Sequence, residues 1–153
     1  SPQARITKSM DKPFWFDRAL NTPSEPGDVM VDGVSIHFET WGEVGKPGIV
    51  LVHGSNAHLE WWRFVAPFLA DQFRVAALDS SGNGDSGWRE RYSGEVLGRE
   101  VWAVCQAAEL GPRPIVVGHS FGGFVVLEQA VDLVDQLFID SHLLQQDPNL
   151  CWR

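Results

Sequence analysis

The stretch Val117-Gly118-His119-Ser120-Phe121-Gly122-Gly123 (VGHSFGG) sets the frame for the rest of the chain. The apolar run IVV (115–117) leads into it, and an apolar, helix-patterned segment over 121–134 follows. A strand must therefore turn into a helix within a few residues, with one serine at the bend. Gly118-x-Ser120-x-Gly122 is the spacing of a nucleophile elbow, in which the serine takes a strained backbone angle and its hydroxyl projects above the strand ends. Side chains at the flanking positions would collide with neighbouring elements, which accounts for the glycines. The serine would also sit at a helix N-terminus, where free N–H groups and the helix dipole favour negative charge. The bland alternative is a tight strand-to-helix turn without chemistry.

Working outward, GIVLVHG (48–54), FRVAALD (73–79) and PIVVGHS (114–120) are continuous apolar runs bounded by turn residues, the pattern of strands buried on both faces. QLFIDSH (136–142) is a further strand. Upstream, VMVDGVSIHFETWG (29–42) alternates around Asp32-Gly33, a strong hairpin signal, and 42–48 forms a second turn. Residues 60–70 have a helical pattern with Pro67 inside it, predicting a kink or break before the proline. Residues 92–110 predict a helix stopped by Gly111-Pro112. SSGNGDSG (80–87) is a glycine-rich loop, and 13–20 predicts a helical turn that lays Trp15 and Phe16 on the body. Strands alternate with helices after the hairpin, so the expected fold is α/β: an antiparallel hairpin leading into a mostly parallel sheet flanked by helices. The whole of 1–153 is expected to form a single domain with 1–27 as an N-terminal extension.

The chain has 153 residues, 44% of them apolar and 21% charged, as in ordinary globular domains. A formal charge of -8 argues against a nucleic-acid partner and disfavours anionic membranes. Cys105 and Cys151 make no disulfide framework and lack metal-site spacing. No run approaches the ~18–20 residues of a membrane span. The first residues lack the apolar core of a signal peptide, so a cytoplasmic location is the default expectation.

His53-Gly54 after one buried strand, Asp79-x-x-Gly82-x-Gly84-x-Ser86 after the next, and Gly118-His119-Ser120-Phe121-Gly122-Gly123 after a third together resemble the α/β-hydrolase fold. The resemblance covers about 29–142, the N-terminal portion of that fold through its sixth strand. Residues 53–70 look like its single-domain serine esterase and lactonase-like branch. The resemblance implies that Ser120 is the nucleophile and that the backbone N–H groups of Phe121 and Ser55 form the oxyanion hole. Asp79 and its glycines match a structural turn near the site. A serine nucleophile disfavours the dehalogenase and epoxide-hydrolase branches, which attack with a carboxylate.

The base is harder to place. In the family the acid usually follows the seventh strand, in a minority pattern the sixth, and the histidine follows the eighth; the resemblance stops at the sixth. His37, His53 and His119 read as structural, and His58 as a pocket-lining candidate. His142 is the one histidine after Ser120; it is a candidate base and Asp140 a candidate acid, against a bland reading of Asp140 as a strand-end carboxylate. A fragment, a split enzyme completed by a second polypeptide, and a retired enzyme kept as a scaffold all remain open. The expectation is a carboxylic ester or related acyl substrate and weak or no activity of this chain alone, with a perhydrolase variant of the same triad chemistry left open. No metal or organic cofactor is implied. Trp61, Trp62 and Trp88 are candidates to line an apolar pocket. The edge of the sixth strand predicts self-association or a complementing polypeptide. The alternative function is a non-catalytic α/β binding module.

Overall fold

A computed structural model describes residues 13–54 and 57–119, together with the backbone of 137–140. Strands β1 (Glu25–Val31) and β2 (Val34–Trp41) pair antiparallel in the register Val31↔Val34. Only Asp32 (φ 48°) and Gly33 (φ 78°) join them. Both lie in the left-handed region, as a two-residue type I′ turn requires, so the Asp-Gly reading holds. β1 begins at Glu25, inside the stretch expected to be an extension.

The remaining strands, β3 (Gly48–Val52), β4 (Arg74–Leu78), β5 (Ile115–His119) and β6 (Leu137–Asp140), complete a six-stranded sheet in the order β1-β2-β4-β3-β5-β6. β4 pairs antiparallel with β2; β3–β4, β3–β5 and β5–β6 are parallel. The continuous apolar runs reflect burial on both faces. Val50, Val52, Ala76 and Leu78 point into one core, while Ile49, Leu51, Val75 and Ala77 point into the other. This is the period-2 alternation of a strand with neither face in water.

The first core is closed by α3 (Gly94–Ala107), whose Val101, Val104 and Cys105 pack on the sheet. Ser93 caps it, its hydroxyl accepting the Val96 N–H at 3.2 Å. Past its C-terminus, the Ala108 carbonyl accepts a hydrogen bond from Arg74 Nε at 3.0 Å, tying the end of the helix to the start of β4. The second core is closed by shorter pieces. A 3-10 turn, Leu59–Trp62, and α2 (Ala66–Leu69) are separated by a break, as the proline predicted; Pro67 sits in the first turn of α2, where its missing N–H costs nothing. α1 (Phe14–Asn21) rests on this layer through Phe16 stacked on Phe64, with ring centroids 4.9 Å apart, and Trp15 edge-on to Phe68 at 6.2 Å. The helix expected over 121–134 lies outside the described residues. No helix among the described residues is long and apolar enough to cross a membrane.

Candidate active site at the carboxyl ends of the strands

The parallel register brings three strand ends level. Val52 pairs with both Leu78 and Gly118, and Gly118 pairs with Ile139. The chain therefore leaves the sheet at one edge through His53-Gly54 after β3 and Asp79 after β4, and His119, the last residue of β5, lies at the same edge in register with Asp140 of β6. Ligands of open α/β sheets bind at this edge.

The turns there are held by buried polar groups. The His53 ring is 4% exposed. Its Nε2 accepts the Ser80 N–H at 3.1 Å, and its Nδ1 lies 2.6 Å from the Gly54 carbonyl oxygen. An amide can only donate, so Nε2 must be the acceptor and Nδ1 must carry the proton, which leaves one neutral tautomer. Burial pushes the ring below the ordinary histidine pKa. The Gly54 carbonyl and the Asp79 charge pull it partly back, and His58 adds to the lowering.

Asp79 is buried as well. One of its carboxylate oxygens accepts the Leu59 N–H at 2.7 Å and the other the Asp85 N–H at 3.0 Å. Its own N–H donates to the His37 carbonyl at 3.0 Å. Ser86 completes the turn, with its hydroxyl accepting the His37 N–H and donating to the Asp79 carbonyl. Gly84, at φ +49°, lies so close that a Cβ there would stand 2.2 Å from Asp79 Oδ2. The spacing Asp79…Gly82-x-Gly84-x-Ser86 thus encodes a turn wrapped around one carboxylate.

Of the residues read from the sequence as the site, Ser55, Ser120, Phe121 and His142 lie outside the described residues. Asp140 is described by its backbone alone, as the last residue of β6. His119, the residue before Ser120, is half-buried with its ring 6.3 Å from that of Trp61. His58 is exposed. The three tryptophans do not line one pocket. Trp62 packs into the second core, whereas Trp88 is exposed beside Asp32, Val34 and Tyr92 in an open groove of about 650 Å³. Only Trp61 stands by the strand ends. His37 sits against Asp79, because β2 runs alongside β4.

His37, Asp79 and Asp85 bring potential metal-ligand atoms within 4.8 Å of one another, the one such group among the described residues. Both Asp79 oxygens are engaged by amide hydrogens and Asp85 is exposed, so this donor set fits the turn's own hydrogen bonding better than a cation site.

A mostly parallel sheet with a His-Gly turn after β3, and with the first glycine of the Gly-x-Ser-x-Gly sequence on β5, defines an α/β protein whose candidate site lies at the carboxyl ends of the strands. A model of the alpha/beta hydrolase family matches residues 49–152, and the chain belongs to that family. Among solved structures it is similar to an alpha/beta hydrolase from Sphaerobacter thermophilus, at 31% identity and TM-score 0.67, covering 74% of this chain and 44% of that one. It is similar to epoxide hydrolase A from Mycobacterium thermoresistibile at 26% identity and TM-score 0.70, covering 76% and 39%. A curated relative, the magnesium-chelatase 30 kDa subunit of Rhodobacter capsulatus, is 33% identical over 72 residues, which are 46% of this chain and 25% of that protein. The chain thus spans about two fifths of the solved structures and a quarter of the curated relative.

Proposed function

We propose that this chain carries the nucleophile and the oxyanion-binding turns of a serine hydrolase acting on carboxylic esters or related acyl compounds. The observation that supports this most is the register Val52↔Gly118, which sets the His-Gly turn and the glycine two residues before Ser120 side by side at the carboxyl edge. In the proposed reaction the Ser120 hydroxyl oxygen attacks the acyl carbonyl carbon as a base takes its proton. The carbonyl oxygen becomes an oxyanion held by the Phe121 and Ser55 N–H groups, and collapse expels the alcohol, reprotonated by the same base, to leave an acyl-serine that water then hydrolyses. Losing one such donor typically costs about 2.7–4 kcal/mol of transition-state stabilisation. His142 is the candidate base within the sequence and Asp140 the candidate acid. The similarity to an epoxide hydrolase supports the fold; the hydroxyl at position 120, where that branch needs a carboxylate, favours acyl chemistry.

A fluorophosphonate probe tests this reading. Labelling at Ser120 that disappears in Ser120→Ala is expected. A folded sample that takes up no probe would instead support the non-catalytic scaffold. Turnover of a p-nitrophenyl ester by this chain alone should be weak or absent, since a serine without an efficient base stays protonated at neutral pH. Robust turnover lost in both Ser120→Ala and His142→Ala would overturn the weak-activity expectation and assign His142 as the base.

The proposal extends to partners. β6 pairs with β5 on one side, and no strand pairs with its other side among the described residues. An apolar edge of this kind recruits further strands, so self-association or a complementing polypeptide is expected. A monodisperse monomer in sedimentation at micromolar concentration would remove that expectation.

A further inference from the structure

We propose that Asp79 is a positioning residue for the turn that follows β3: its carboxylate, with the His53 ring, fixes both ends of residues 53–59 on the dipeptide Asp79-Ser80. The far end is held by the Leu59 N–H on Asp79 at 2.7 Å, and the near end by the Ser80 N–H on His53 Nε2 at 3.1 Å. Two adjacent residues at the end of β4 thus grip a span that leaves β3 and returns to the 3-10 turn. The consequence for catalysis rests on the hydrolase reading, because Ser55, the candidate oxyanion donor, lies within that span.

The choice of a carboxylate follows from its donors. Asp79 is 2% exposed, and no lysine or arginine forms an ion pair with it among the described residues. A buried charge without a cation is costly unless hydrogen bonds replace its hydration. Here two amide hydrogens arrive from opposite segments, Leu59 on one side and Asp85 on the other. An asparagine has a single acceptor oxygen, so its NH₂ would face one of those N–H groups and push it away. Only a group with two acceptors holds both segments at once. Gly84 leaves the space that the carboxylate fills. His53 acts alike at the other end: its Nδ1 proton is engaged by Gly54, which keeps Nε2 an acceptor for Ser80.

The test is Asp79→Asn in the whole chain, read by two independent measurements. Hydrogen exchange at the Leu59 and Asp85 amides should quicken at least tenfold relative to amides in β3 and β4. Fluorophosphonate labelling of Ser120 should lose at least tenfold in its maximal rate constant, with less than a threefold change in the probe concentration giving half that rate. A carboxylate that only stabilises the fold would leave the maximal rate intact in folded protein. If Asp79→Asn does not fold, Gly84→Ala, which crowds the same carboxylate without removing its charge, should move both readouts in the same direction. Unchanged exchange in a folded variant overturns the proposal, and so does unchanged labelling. If the parent chain takes up no probe, the hydrolase reading fails separately, and the exchange measurement alone decides whether Asp79 holds the turn.

Discussion

The two faces of the sheet are covered by different means. Among the described residues one face is covered by α3, which lays Val101, Val104 and Cys105 along a continuous stripe, starts at a serine cap and is fastened at its far end by Arg74. On the other, a 3-10 turn, a four-residue α2 and the docked α1 share the work. Stacked aromatics and the Asp79 bond to Leu59 hold this layer, and it leaves Phe14, Trp61 and Phe68 exposed. The first face is stabilised by a regular period, the second by particular contacts between distant residues. The candidate site edge borders the second, where short segments can place backbone N–H groups that a long helix would have consumed internally.

The largest expected effect lies on the helical face. Glu100 is 1% exposed and accepts the Ser81 N–H, the Ser81 hydroxyl and Arg89 Nε, while Arg89 also reaches the Val31 carbonyl. Glu100→Ala leaves the buried guanidinium without its counter-charge and should cost about 3–5 kcal/mol in urea unfolding. A loss below about 1 kcal/mol would mean that this face is held by apolar packing alone.

Next come paired truncations. Leu110→Ala and Leu59→Ala each remove a side chain that is 2% exposed. Such changes cost roughly 2–5 kcal/mol, depending on how far the surroundings collapse. Leu110 belongs to the helix-backed core and should fall at the upper end; Leu59, which one of the short segments of the other layer projects into the second core, should fall at the lower. Equal losses in chemical denaturation would break the contrast between the faces. Ser93→Ala should cost about 1 kcal/mol by removing the cap on Val96, seen as a lower midpoint with an unchanged denaturant slope.

The smallest effect belongs to the edge itself. Burial holds His53 below the ordinary histidine value in the folded chain. As pH falls below about 6.5 the unfolded chain takes up its proton first, so stability is complete above that pH and declines between the unfolded value and the lower folded one. The slope from this group is at most one proton. Replacing the ring by His53→Asn should flatten that part of the stability–pH curve, and an identical slope in the variant would show that other groups carry it.

Much of this arrangement was legible in the chain itself. Asp32-Gly33 predicted a two-residue hairpin, Pro67 a break, and the apolar runs a doubly covered parallel sheet, because turn stereochemistry and side-chain period are local properties. Glu100 was not singled out, although its spacing from Val96 and Val104 places a carboxylate on the buried stripe of α3, the one signal that pointed to it. Arg89 as its partner had no local signal, since the pair is made between a loop and a helix. Asp79 was legible as a turn residue and not as an anchor for Leu59, twenty residues earlier in the chain.

The sequence by itself therefore determined the strands, the hairpin and the helix over 94–107, each of which depends on neighbours a few residues apart. Tertiary structure alone decided the strand order, the level register of Val52, Leu78 and Gly118, and which buried amides meet Asp79 and His53. Those outcomes depend on which distant donors and acceptors are brought within about 3 Å once water is excluded, and no local pattern of residue types encodes that distance.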